Sequence, residues 1–174
     1  MLLTLVAISA CSKEVIFDFE ENLQEELLAI DQFLNENQIS YLELENEIRY
    51  RFIEEGAGPG VDLRDTVKSF YAIYLLDSTL ITSNVREVLD ANGAMDRSSE
   101  IFADVIELGL DNRRRLQFLN EAYKLSRNGT SIQMFVPSYL AFGSNPFPSA
   151  FVNSVPPDTP IMLEIEVAEL IKVD

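Results

Sequence analysis

Residues 56–78 read GAGPGVDLRDTVKSFYAIYLLDS, and this stretch decides the fold. Gly56 to Gly60 is a turn cluster, because glycine reaches positive φ without strain and proline presets its own φ. It lacks the Gly-Lys-Ser/Thr of a phosphate-binding loop and opens no helix, so no nucleotide is implied. The residues that follow, Thr66 to Leu76, are rich in β-branched and aromatic side chains and predict one long strand. Asp77-Ser78-Thr79 then turns the chain into Leu80-Ile81, which makes a hairpin.

Working upstream, Ile48, Tyr50 and Phe52 alternate with Arg49 and Arg51, the two-residue period of a strand. Downstream, residues 83–97 (SNVREVLDANGAMDR) are polar with few large apolar side chains and read as an excursion from the sheet. Within it, Asp90 to Asp96 misplaces the glycine and the liganding oxygens of a calcium loop, so it reads as a polar turn and no metal is expected. Leu116 to Leu125 predicts a helix with Leu116, Leu119, Ala122 and Tyr123 on one face, ended by Asn128-Gly129. A strand over Ser131 to Val136 leads into PSYLAFG, and a last strand sets Ile161, Leu163, Ile165 and Val167 opposite Glu164 and Glu166. The predicted class is α+β, an antiparallel sheet with one short helix against it.

The N-terminal part reads differently. MLLTLVAISAC, residues 1–11, is an apolar run too short to span a bilayer, closed by small residues and a cysteine and followed by a polar, acidic stretch. That resembles a bacterial lipoprotein signal, with Cys11 as the acylated first residue of the mature chain. It departs from such signals in having no basic residue before the apolar run. The other reading is a buried strand with a core cysteine, which fits the following polar stretch less well. From Phe19 to Asn37, Leu23, Leu27, Ile30 and Leu34 form one apolar helical stripe, short enough to pack on the domain or on one partner helix. The division is then 1–11 signal, 12–44 tether and N-terminal helix, 45–174 folded domain.

Composition narrows the chemistry. With 13 basic against 29 acidic side chains the net charge is −16, which repels phosphate backbones, so no nucleic-acid partner is expected. There is no histidine and a single cysteine, so the usual zinc sites and Ser/His or Cys/His nucleophile pairs cannot be built. The mature protein can form no internal disulfide. No cofactor is called for.

From Ile48 onward the chain resembles the FKBP family of peptidyl-prolyl cis-trans isomerases. The first match is the turn and strand of residues 56–78, with Asp65, Val67 and Tyr71 at the places of the family's Gly-Asp-x-Val-x-Val-x-Tyr. The second is LNEAYKLSRNG with VPSYLAFG, similar to the family's Trp-x-Glu-Ala-Leu helix and its Ile-Pro-Ser-x-Leu-Ala-Tyr-Gly. The third is Val155-Pro156-Pro157 before IMLEIEVAELIKV. The resemblance implies an FKBP-like half-barrel wrapped around one short helix, to which the Phe19 to Asn37 stripe adds an N-terminal helical extension.

Prolyl isomerisation suits a chain without catalytic histidine. The barrier of roughly 20 kcal/mol comes from amide resonance, and no group need be protonated or attacked to cross it. An apolar pocket that strips water from the imide and fits its twisted form is sufficient. Carried over by position, the resemblance implies that Tyr71, Ile81, Thr82, Leu116, Leu119, Phe142, Val155 and Leu163 form that pocket. Ile81 stands where the flap usually has Phe, and Leu119 where the floor usually has Trp. Thr82 replaces a hydrogen-bonding Asp, Phe142 a Tyr, and Leu163 a Phe. By periodicity alone Leu116, Leu119 and Leu163 are ordinary core.

The expected function is therefore a weakened isomerase for proline-containing clients folding at the cell envelope. It would be lipid-anchored, in the outer membrane facing the periplasm or the cell surface. The rival is a non-catalytic binding module of the same fold, a chaperone or an accessory subunit of an envelope protein complex. Arg113-Arg114-Arg115 reads as an acid-paired face or as a docking point for an acidic partner. Asn145 to Phe151 is expected over the pocket mouth, where its two phenylalanines cap it or grip a client.

Overall fold

The computed structural model describes residues 19–62, 64–93, 104–107, 117–149, 151–152 and 154–173. Cys11, Leu116, Arg113 to Arg115 and the end of the Asp90 to Asp96 stretch lie outside them. In chain order the elements are α1 (Phe19–Glu36), β1 (Leu42–Glu43), β2 (Arg49–Glu54), β3 (Ala57–Gly60), β4 (Thr66–Leu75) and β5 (Leu80–Ser83). There follow α2 (Arg86–Ala91), β6 (Asp104–Glu107), α3 (Gln117–Lys124), β7 (Arg127–Asn128), β8 (Ser131–Val136), a 3-10 turn (Ser138–Leu140) and β9 (Ile161–Ile171). The class is α+β, as expected.

Among the described residues the main sheet has seven strands in the order β1-β2-β8-β9-β4-β5, with β6 on the far end of β4, and every pairing is antiparallel. Its spine is β4 against β9, from Thr66 opposite Ile171 to Leu75 opposite Ile161. The alternation read from the sequence sets the two faces. Ile161, Leu163, Ile165 and Val167 join Ile132, Met134 and Val136 on the inner face, where α3 buries Phe118, Leu119, Ala122 and Tyr123. Inside this core the Tyr123 and Ser69 hydroxyls share a hydrogen bond of 2.9 Å, so the helix is tied to β4 as well as packed on it.

The outer face is covered in part by α1. Ile30 and Leu34 pack on Phe135 and Met162, with Phe33, Ile39, Tyr74 and Leu76 at the border. The apolar stripe of the N-terminal helix therefore packs on the sheet. This cover also buries an arginine of β2. Arg49 is only 6% exposed and pairs with Asp31 of α1 at 3.0 Å, while donating to the Glu47 carbonyl at 2.8 Å.

Three further differences are local. Gly56 to Gly60 is more than a turn, because Ala57 pairs with Asn128 and Gly60 with Arg127 in a separate two-stranded ribbon. The excursion after β5 contains α2, and the chain returns to pair β6 with β4. α3 stops at Lys124, before Asn128-Gly129, with the Ser126 hydroxyl donating back to the Ala122 carbonyl at 2.7 Å. None of these has a strong apolar period to announce it.

Candidate functional site

The candidate site is built where β4, β5, α3 and β9 converge with the segment after β8. β5 contributes through an irregular register: Ile73 is opposite Thr82 and Tyr74 opposite Leu80, leaving Ile81 as the extra residue of a bulge. Strict alternation is broken there, so Leu80 and Ile81 are both buried in succession. Beyond β5 the chain leaves the sheet, yet side chains continue the ladder along β4. The Tyr71 N–H donates to Asn84 Oδ1 at 2.6 Å, and the Tyr71 carbonyl accepts the Ser83 hydroxyl at 2.8 Å. Tyr71 is thereby fixed in backbone, with its ring packed against the core.

Six of the eight residues inferred for the pocket, Tyr71, Ile81, Leu119, Phe142, Val155 and Leu163, fall in one apolar cluster. Ile81, Val155 and Leu163 have no exposed surface and Leu119 has 8%, so all four are core. Tyr71 and Phe142 are half-buried and lie at the edge of this core, where they would form the rim of a pocket. Thr82 is half-buried beside this cluster on β5, and Leu116 lies outside the described residues.

Residues 144–149 and 151–152 pack beside Phe142 and β5. Phe147 and Val155 exchange backbone hydrogen bonds of 3.1 and 2.8 Å. The Ser149 hydroxyl donates to the Ile81 carbonyl at 2.7 Å and accepts the Phe151 N–H at 3.1 Å, which ties this segment to β5. Phe147 stacks on Phe142 with ring centroids 4.1 Å apart, and Phe142 meets Phe118 edge-on at 6.5 Å. Of the two phenylalanines expected over the mouth, Phe147 thus covers Phe142, and it remains 37% exposed.

Sequence reasoning missed Phe118, Ser83, Asn84 and Ser149. Phe118 lies off the Leu119 stripe, although its spacing of four from Ala122 signals burial. The polar three sit in irregular segments where no periodicity marks them. The arrangement offers an apolar core edged by two half-buried aromatic rings, with backbone groups held by side chains. It is suited to enclosing and desolvating a small apolar moiety such as a proline ring.

No protein-family model matches the sequence, and no curated protein matches it. Solved structures do. FkpA from Escherichia coli superposes with a TM-score of 0.60 at 17% identity, covering 89% of this chain and 63% of that one. A peptidyl-prolyl cis-trans isomerase from Pseudomonas syringae gives 0.59 at 18% identity, covering 89% and 97%. The N-terminal domain of FKBP42 from Arabidopsis thaliana gives 0.57 at 19%, covering 76% and 93%. With its antiparallel sheet folded around α3, this chain has the fold of the FKBP-type peptidyl-prolyl isomerases.

Proposed function

We propose that the protein is a peptidyl-prolyl cis-trans isomerase of reduced activity. Its clients are proline-containing polypeptides folding at the bacterial cell envelope. The observation that supports this reading is the convergence of Tyr71, Ile81, Leu119, Phe142, Val155 and Leu163 into one apolar cluster. A proline ring entering between the Tyr71 and Phe142 rims loses its water, which disfavours the planar, charge-separated imide and lowers the barrier to rotation. The reduction follows from the residues present. An aliphatic floor at Leu119 and Leu163 offers no ring contacts, and Phe142 has no hydroxyl for a client carbonyl. Together these remove about 1 to 3 kcal/mol of aromatic contact and about 1 kcal/mol of hydrogen bonding. That corresponds to a rate lower by roughly two to three orders of magnitude.

A tetrapeptide isomerisation assay tests the reading, with a rate above buffer and far below a full-pocket enzyme as the expected result. A rate equal to buffer favours a non-catalytic binding module, a role that the cover of Phe147 over Phe142 suits. The location we propose is a lipid anchor on Cys11, in the outer membrane facing the periplasm or the cell surface. Mass spectrometry of the mature protein checks it: acyl mass on Cys11 is expected, and retention of Met1 would rule it out.

A further inference from the structure

Glu26, on the second turn of α1, is 7% exposed and takes no part in the candidate cavity. Its Oε2 accepts the Ser138 backbone N–H at 2.5 Å and its Oε1 accepts the Ser138 hydroxyl at 2.6 Å. Beside this clamp, between α1 and the segment Ser138 to Ser144, opens a cleft of about 240 Å³. That is below the roughly 300–1,000 Å³ of sites for drug-sized ligands, and is the scale of a single long side chain.

The lining points to the charge of that side chain. Glu26 and Asp158 are both among the lining residues, none of which is basic, and neither acid belongs to any ion pair among the described residues. Ser138 gives Glu26 two hydrogen-bond donors but no counter-charge, and Asp158 is half-buried, so an anionic guest would be repelled and a neutral one gains nothing from either charge, whereas a cation is attracted to both. Phe19 and Tyr139 form one wall, edge to face at 5.8 Å, and aromatic rings attract a cation through their quadrupole. Tyr139 is held in place by donating its hydroxyl to the Asn46 carbonyl at 2.8 Å. Leu23 adds apolar surface for methylenes.

We infer that this cleft is a second binding site, which takes the cationic side chain of a lysine or arginine carried by a polypeptide. The net charge of −16 draws basic chains toward the protein in general, and the cleft gives one residue of them a fixed seat. The same segment serves both places. Ser138, Gly143 and Ser144 border the cleft, while Phe142 packs on the apolar cluster of the candidate site. A polypeptide seated by its basic residue is thus held beside that cavity. The assignment does not depend on isomerase activity.

Titration of the full chain with acetyl-lysine methylamide and acetyl-arginine methylamide, followed by NMR, tests the site. Saturable shifts are expected at the Asn22, Tyr139, Ser144 and Asp158 amides. The norleucine and glutamate counterparts should give none. Asp158→Asn keeps the fold, because asparagine tolerates the residue's φ of 50°. It should weaken lysine binding by roughly two- to fivefold, as for a partly exposed charge pair. Glu26→Gln should weaken it further where that variant folds. No shifts, equal shifts with the norleucine compound, or an affinity unchanged in Asp158→Asn would overturn the assignment.

Discussion

Gly56 is the position where the backbone tolerates least change. Its φ is +72°, and a Cβ there would stand 2.6 Å from the Asn128 carbonyl oxygen and 2.7 Å from the Thr130 nitrogen. Both contacts are with backbone, so the neighbour cannot swing away. Around it, the Thr130 hydroxyl donates to the Glu55 carbonyl at 2.8 Å and accepts the Arg127 N–H at 2.8 Å. Gly56→Ala therefore strains φ and separates β3 from β7 together, with an expected loss of about 2–4 kcal/mol. Urea unfolding measures it, and a midpoint within error of the parent would show that the ribbon is not held at Gly56. The same close approach explains why a glycine-rich stretch read as a turn is a paired strand. Composition shows that the backbone is permissive, and only the fold shows that another backbone passes beside it.

At the scale of elements, α1 turns a one-sided sheet into a two-sided one. Leu34 is 1% exposed against Phe135 and Met162, while the Arg49 side chain, 8% exposed, spans the junction to Asp31. Leu34→Ala removes buried methyl groups and leaves a cavity, so a loss of about 2–5 kcal/mol is expected. Asp31→Ala leaves Arg49 buried with less compensation and should also destabilise, though less, because Asp31 itself is 37% exposed. Thermal unfolding of the two variants ranks the contributions, and an unchanged Leu34→Ala would show that α1 does not stabilise the sheet. The long strands were legible because one face of each is apolar at a period of two. The burial of Arg49 was not, since a single strand carries no record of what covers its other face. α2 and β6 escaped for the complementary reason, that polar residues dominate the segment leading through them. Phe118 and Ser149 mark the same limit within the candidate site: the Phe118–Phe142 and Ser149–Ile81 contacts join segments far apart in sequence, and no local pattern announces them.

At the scale of the molecule, the C-terminal end of β9 is tied to the turn before β4. Asp65, 1% exposed, accepts the N–H groups of Asp62 and Val173 and the Lys172 ammonium, the last at 2.7 Å. Burial alone would raise its pKa, but the Lys172 hydrogen bond and the two backbone donors outweigh it and hold the carboxyl below the ordinary aspartate value. A depressed folded pKa contributes stability above the unfolded value and loses it as pH falls through the folded one. Acid titration should thus destabilise the parent below the ordinary aspartate range, and Asp65→Asn should flatten that limb of the stability curve. Activity tests the molecule on a different axis, since the candidate site is an apolar core cluster edged by the half-buried Tyr71 and Phe142. Leu119→Trp with Phe142→Tyr supplies the floor ring and the hydroxyl that the FKBP resemblance leads one to expect. Leu119 is only 8% exposed, so the larger ring overpacks the cluster and costs about 1–3 kcal/mol of stability. Phe142→Tyr alone, at a half-buried rim, serves as the variant that keeps the core intact. If ring contact and hydrogen bonding limit the rate, the double variant gains one to two orders of magnitude, roughly 1.4–2.8 kcal/mol of barrier, and the tyrosine alone gains less. Circular dichroism confirms that both fold before tetrapeptide rates are compared. A parent already as fast as a full-pocket enzyme would show that the apolar enclosure is sufficient by itself, and parent and folded variants all at the buffer rate would leave binding, without turnover, as the role of this cavity.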